Sequence, residues 1–232
     1  MDISGKTALI TGASRGLGRA VAEALGAAGA QVIAVARTVG GLEEADDAIR
    51  AAGGSGAVLV PLDITDDPGL ARLGAAINDR WGHLDLWVHT AVNATMLAPP
   101  EHIEPSEFDR ALAVNLTAIQ RLIRVTDPLL RQSSAGRAVF IDDGTRPTPN
   151  NAAYLASKQA QKALAQAWDS GLAGASNVRV LMALAPPMPT ALRARWHPGE
   201  DQSVLTAPTE VSRRLLAAIS QGATGSLDLT SE

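Results

Sequence analysis

The chain has 232 residues, 46% of them hydrophobic and 19% charged, with a net charge of -4; this is apolar enough to build a core and excludes an intrinsically disordered chain. A pI near 5.6 excludes the basic surface that phosphate-backbone binding requires, so nucleic acid is not an expected partner. The absence of cysteine excludes disulfide frameworks, zinc-cysteine sites and thiol nucleophiles together.

The N-terminus has no basic stretch followed by an apolar one, and no run approaches the roughly 18 apolar residues of a membrane span. A soluble cytoplasmic protein with no membrane partner is expected. Short aliphatic runs then alternate with longer Ala-rich stretches up to about residue 185, the pattern of βαβ units in an α/β domain spanning residues 1–232.

The first strand is predicted over Thr7–Thr11 and the first helix over Arg15–Ala28, stopped by Gly29, which can take the left-handed closing conformation. A strand over Gln31–Ala36 precedes a helix from Gly40 to the Gly53-Gly54 pair. Next come a strand over Ala57–Leu62, a helix over Pro68–Trp81 stopped by Gly82, and a strand over Leu84–His89. Ala111, Leu112, Asn115, Leu116, Ile119 and Leu122 recur at helical spacing and predict one long helix over Pro105–Gln132. A strand over Ala138–Ile141, a helix over Asn151–Leu172 and a strand over Val178–Leu184 follow. At Pro186-Pro187-Met188-Pro189 regular structure stops, so residues 186–210 read as an irregular substrate-facing lid. A helix over Glu210–Ser220 and a strand over Ser226–Leu229 close the chain. Near-continuous apolar strands such as Val58-Leu59-Val60 fit a sheet covered on both faces. With only 3% aromatic residues, its core should be aliphatic.

Thr11-Gly12-Ala13-Ser14-Arg15-Gly16-Leu17-Gly18 directly follows the first strand and opens the first helix. Glycine there permits a tight turn, and a helix N-terminus presents free N–H groups to a pyrophosphate. Gly12, Ser14, Arg15, Gly16, Leu17 and Gly18 are therefore candidate dinucleotide-binding residues. Ser4-Gly5-Lys6-Thr7 resembles the tail of a P-loop, but it precedes a strand and lacks the upstream glycine.

Tyr154 and Lys158 lie four residues apart, on one helix face. A phenol normally titrates near pH ~10, and a neighbouring cation favours its ionised form. Such a group can exchange a proton with a carbonyl or hydroxyl oxygen. Tyr154 is the only tyrosine of the chain.

At this point the chain resembles the short-chain dehydrogenase/reductase family. The glycine motif from Thr11 to Gly18, Asp63 after the third strand, Asn115 in the long helix and Tyr154-x-x-x-Lys158 fall in the family's order and approximate spacing. The resemblance implies a Rossmann-type, doubly wound parallel sheet of about seven strands that binds NAD(H) or NADP(H), with Tyr154 as acid/base. It further implies that Lys158 holds the nicotinamide ribose and lowers the Tyr pKa, that Asn115 anchors a relay water, and that Asp63, with Ile64 beside it, meets the adenine. His89, Ala91, Pro186 and Thr190 would line the cofactor. A small-molecule substrate and a homodimer or homotetramer built on the helices of Asn115 and Tyr154 are also implied.

The second strand ends in Val35-Ala36-Arg37, where NAD-selective relatives tend to carry an acidic residue. Arg37 and Arg15 instead offer two guanidiniums to a 2′-phosphate, which favours NADP(H) over NAD(H).

Three departures stand out. The family's Asn-Asn-Ala-Gly is His89-Thr90-Ala91-Val92, with His89 read as a structural substitute rather than a base. The Pro-Gly after the sixth strand is Pro186-Pro187, which stiffens that turn. The family's catalytic Ser falls within Ile141-Asp142-Asp143-Gly144, with Asp143, 11 residues before Tyr154, or else Asp142 in its place. An ionised carboxylate only accepts hydrogen bonds; it repels a developing oxyanion and raises the Tyr pKa, opposing Lys158. Either the carboxyl stays protonated, or the substrate carries positive charge at the reacting centre, as with the pteridine reductases of this superfamily, which use an Asp there. Asp143 therefore points to an imine-like or cationic substrate.

Residues 187–201 resemble the corresponding loop of the bacterial YciK-like oxidoreductase branch. No His, Asp and Glu cluster has metal-ligand spacing, so no metal is expected, and His83, His102 and His197 read as surface residues. The expected function is NADP(H)-dependent oxidoreduction of a small carbonyl, alcohol or imine. The other reading is a non-catalytic dinucleotide-binding protein, which the three departures favour and the intact Tyr154, Lys158 and Asn115 oppose.

Overall fold

Residues 2–174 and 176–230 are described by a computed structural model. Seven parallel strands form its sheet: β1 (Thr7–Thr11), β2 (Gln31–Ala36), β3 (Ala57–Pro61), β4 (Leu86–His89), β5 (Arg137–Asp142), β6 (Arg179–Leu184) and β7 (Gly225–Asp228). Their order is β3-β2-β1-β4-β5-β6-β7, the doubly wound α/β arrangement. Alternate residues of one strand serve opposite faces. Ala8, Ile10, Val32 and Ala34 point into one apolar layer, and Leu9, Ile33 and Val35 into the other. Both faces are buried, so these strands read as unbroken apolar runs.

The first layer is closed by α1 (Gly16–Ala27), α2 (Val39–Ala51) and the last helix, α8 (Pro208–Ser220), through Val21, Leu25, Leu42, Ile49, Val211 and Leu215. The second is closed by α3 (Asp67–Trp81), α5 (Ala118–Gln132) and α6 (Ala152–Leu172), through Leu70, Ile77, Ile119, Leu122 and Leu172. Gly29 and Gly82 take φ of +87° and +71°, as their place after α1 and α3 requires.

The structure corrects four expectations. The long helix over Pro105–Gln132 is not regular: α4 (Pro105–Leu112) passes into α5 through a π turn at Ala113–Thr117. There the Asn115 side chain is tied to two other segments, and widened turns of this kind concentrate at functional positions. Residues 186–210 are not wholly irregular, since α7 (Ala191–Trp196) lies among them; Thr190 Oγ1 caps it, accepting from Arg193 N at 3.4 Å. The core is not purely aliphatic, because Trp87 packs edge-on against Phe140 at 5.2 Å and meets Trp168 at 6.3 Å. Element ends differ by one or two residues, with Leu84 and Val178 lying just outside β4 and β6.

Gly12, Arg37, Thr90, Asp143 and Ala185 each directly follow a strand, so all lie at the carboxyl edge of the sheet. The order reverses between β1 and β4, and that crevice is where open α/β sheets bind ligands.

Candidate active site

Between β1 and α1, Gly12 has φ +90° and Gly16 φ +56°, values that favour glycine. A Cβ on Gly12 would stand 2.6 Å from Ala91 N, and one on Gly18 2.2 Å from Thr90 Oγ1. The glycines thus let the loop, α1 and the end of β4 close on one another, a contact that Thr90 Oγ1 reinforces by donating to Thr11 O at 2.9 Å. Ser14 and the exposed Arg15 lead into α1, Leu17 is buried within it, and no side chain caps its start. First-turn N–H groups are therefore left for an external acceptor. Across the loop stands Thr190, whose Cγ2 is 3.4 Å from where a Gly16 Cβ would be. An uncapped helix start behind a glycine loop fits a dinucleotide pyrophosphate.

At the adjoining strand tips, Arg37 and Asp63 face each other at 3.9 Å, with side chains 67% and 44% exposed. Asp63 Oδ1 also accepts from Thr65 N at 2.9 Å and Thr65 Oγ1 at 2.8 Å. An exposed pair of this length holds Arg37 only weakly. Ile64 buries its side chain in the second layer, leaving its backbone as the part able to face a ligand. Ala91 lies against Gly12, and Pro186 is buried directly after Ala185.

His89 is buried, with Nδ1 2.8 Å from Thr11 Oγ1. Burial, seconded by the Lys158 charge, pushes its pKa down to about 3. It stays neutral at physiological pH.

Four residues converge next to it. The Tyr154 hydroxyl donates to Asp143 Oδ2, while Asp143 Oδ1 accepts from Thr145 N at 3.1 Å. Asp142 turns away, pairing with Lys162 at 2.9 Å and accepting from Gly144 N at 3.0 Å, so the partner of Tyr154 is Asp143. Lys158 Nζ donates to Ile141 O at 2.7 Å and Gln161 Oε1 at 2.9 Å. Asn115 Nδ2 donates to Asn93 O at 3.0 Å and Ser157 Oγ at 2.9 Å, and its Oδ1 accepts from Asn93 N at 2.7 Å.

Burial, then the Asp143 carboxylate, raise the Tyr154 pKa far above its usual value, the direction expected of a carboxylate at this position. Burial pulls the Lys158 pKa down, with Asp143 and Asp142 opposing. The carboxylate bonded directly to the phenol outweighs an ammonium held by Ile141 O and Gln161.

Trp196 and Ser157 are the residues that sequence reasoning missed. The Trp196 ring stands edge-on to that of Tyr154, with centroids 4.6 Å apart, and its Nε1 donates to Thr95 O at 3.0 Å. The available signal was a lone bulky aromatic in an otherwise polar stretch. Ser157, donating to Tyr154 O at 2.7 Å, could have been read from its place one turn after Tyr154.

A doubly wound sheet with a glycine loop at its switch point and a Tyr–Lys pair beside it defines the dinucleotide-binding oxidoreductase class. The short chain dehydrogenase profile matches residues 6–201, and the chain belongs to that family. The ketoacyl reductase HetN of Nostoc is 34% identical over 161 residues, covering 67% of this chain but only 54% of that reductase. Among solved structures, the oxidoreductase yciK of Escherichia coli superposes with a TM-score of 0.91 at 27% identity, covering 99% of this chain and 97% of its own. A short chain dehydrogenase of Escherichia coli CFT073 complexed with NADPH does so with a TM-score of 0.91 at 27% identity, over 99% of both chains. Among the described residues no helix is long and apolar enough to cross a membrane, and no acidic or histidine cluster could hold a metal ion.

Proposed function

We propose that this protein is an NADP(H)-dependent oxidoreductase interconverting a small carbonyl or imine with its reduced form, with Tyr154 as the proton-exchanging group. The observation that carries the reading is the Tyr154–Asp143 hydrogen bond beside Lys158, next to a glycine loop whose helix start is uncapped. NADP(H) held there by Gly12, Ser14, Arg15, Gly16, Leu17, Gly18, Ala91, Pro186 and Thr190 would supply or accept the hydride. Arg37 and Arg15 would favour the 2′-phosphate form, as the NADPH-bound structural relative supports. Asp63 and the Ile64 backbone would flank the adenosine.

The phenol, kept protonated by its surroundings, gives its proton to the substrate oxygen or nitrogen. Lys158 holds the ribose side of the site and Asn115 braces segment 93–95 against α6. Asp143 supplies an acceptor where a neutral carbonyl needs a donor, so it disfavours an oxyanion and favours a positively charged centre. The preferred substrate is then imine-like or cationic. Residues 186–210 act as the lid, the exposed Ala156, Ala163 and Ala167 of α6 serve a homodimer or homotetramer contact, and the protein works in the cytoplasm.

The test is fluorescence titration with NADPH and NADH, followed by turnover on paired ketones and cyclic imines. Binding of NADPH with turnover of an imine supports the reading. Binding without turnover on any of them supports the non-catalytic alternative, which the altered His89-Thr90-Ala91-Val92 and Pro186-Pro187 segments favour.

A further inference from the structure

Tyr154 is 1% exposed although it lies at the open edge of the sheet. Its hydroxyl is occupied by Asp143, and its ring is covered by Trp196. A residue that must meet a substrate is thus sealed from both sides. The two seals differ in kind, since Asp143 follows a central strand whereas Trp196 ends a six-residue helix with no buried residue.

We propose that Trp196 is the gate of this site: its indole must leave the Tyr154 ring before any substrate reaches the hydroxyl. The inference rests on the reading of Tyr154 as the reacting group. The gate is latched by bonds that reach from α7 to one short segment. Trp196 Nε1 donates to Thr95 O at 3.0 Å, and the exposed Arg195 donates to Ala94 O at 3.0 Å. That segment is itself fixed, because Asn93 is bonded through both backbone groups to Asn115. The latch therefore has a rigid side and a loose one. On the loose side, Arg193 and Glu200 pair locally with N–O distances of 2.7 and 2.6 Å, which keeps α7 folded as a unit without binding it to the core. An element with little buried apolar contact opens at low cost. Thr95 Oγ1, buried and without a partner, lies in the residue whose carbonyl holds the latch, so opening uncovers an unsatisfied hydroxyl beside the indole's former acceptor. A substrate that displaces Trp196 must replace its ring contact and can take these polar groups.

The chain contains a single tyrosine, which makes the gate measurable without a substrate. N-acetylimidazole acetylates accessible tyrosine hydroxyls, and intact-mass analysis followed by hydroxylamine reversal isolates the Tyr154 adduct. Wild type should label slowly. Trp196→Ala should label on the order of ten times faster, as expected for opening a locally closed residue, and Trp196→Phe, which keeps a ring but loses the latch donor, should fall between. Trp196→Ala labelling at the wild-type rate would overturn the gate. Circular dichroism and the thermal midpoint confirm that each variant is folded; should Trp196→Ala fail to fold, Trp196→Leu takes its place. NADPH titration of the same samples reports on the functional reading separately, because labelling needs neither cofactor nor turnover.

Discussion

The hydroxyl of Tyr154 donates to the carboxylate of Asp143, so the only phenol of the chain is held by a group that cannot donate in return. A substrate oxygen competing for that proton meets a negative neighbour, whereas an iminium nitrogen meets a complementary one. Burial, and then this contact, raise the Tyr154 pKa, making the phenol a weaker acid and postponing phenolate formation to higher pH.

Replacing Asp143→Ser returns a donor to this position. Ketone reduction should rise by about 100- to 1000-fold in kcat, the scale associated with one oxyanion donor, while imine reduction falls. Steady-state kinetics on a matched ketone and imine decide the matter, and an unchanged ratio between them would count against a charge-selective role for Asp143.

The pH dependence has a definite sign. Asp143→Asn removes a cause that raises the Tyr154 pKa, so the phenolate forms at lower pH. Alcohol oxidation, which needs the phenolate as base, should gain its alkaline limb at lower pH than wild type, by one unit for every ~1.4 kcal/mol of interaction removed. A pH profile of kcat/KM for both proteins measures the displacement.

Among the described residues Arg37 reaches only Asp63, at 3.9 Å and largely exposed. Such a pair contributes little to stability, so Arg37→Ala should leave the thermal midpoint within a degree or two. It should weaken NADPH by about tenfold or more through loss of a charge-assisted phosphate contact while leaving NADH nearly unchanged. Equal weakening of both cofactors would remove Arg37 from the 2′-phosphate site.

Much of this was legible because the signals were local. Gly29 and Gly82 announced the ends of α1 and α3 through a backbone requirement that the residue itself carries, and the 11-residue spacing of Asp143 and Tyr154 placed the two on successive elements. Other features depend on partners far along the chain. The π turn at Asn115 is tied to Asn93 and Ser157, 22 and 42 residues away, and no periodicity encodes that. Helix α7 has six residues, less than two turns, too short for an amphipathic pattern. The strength of Lys158 against Asp143 at the phenol is a question of distance and burial, which spacing alone does not contain.

The glycine loop offers a sharper test of packing. A Cβ at Gly18 would stand 2.2 Å from Thr90 Oγ1 and 2.3 Å from Gly12 O, and one of these contacts is backbone, which cannot rotate away. Gly18→Ala should cost roughly 1–3 kcal/mol as an overpacked site and, by shifting α1 off β4, weaken NADPH more than it lowers stability. Paired denaturation and titration curves separate the two effects. Gly53→Ala is the control: its φ of +87° strains any side chain, yet a Cβ there meets nothing, so it should lose stability without losing cofactor.

Asp85 lies at the opposite edge of the sheet. Its carboxylate, side chain 3% exposed, accepts from Thr7 N at 3.0 Å and Ser133 Oγ at 2.6 Å, and Lys6 approaches to 3.4 Å. Burial opposes its ionisation, but the Ser133 hydroxyl, the Thr7 N–H, Lys6 and His83 together outweigh that and hold its pKa below the ordinary carboxylate value. A depressed folded pKa means that the unfolded chain binds the proton first, so this stabilisation is complete above the unfolded value near pH ~4 and is lost as pH falls through the folded one. Asp85→Ala would strand the Thr7 N–H and the Ser133 hydroxyl, costing roughly 2–3 kcal/mol at pH 7. The distinguishing result is its slope. Thermal midpoints measured from pH 7 down to pH 3 should fall less steeply for Asp85→Ala than for wild type, and parallel curves would show that the Asp85 proton is not coupled to folding.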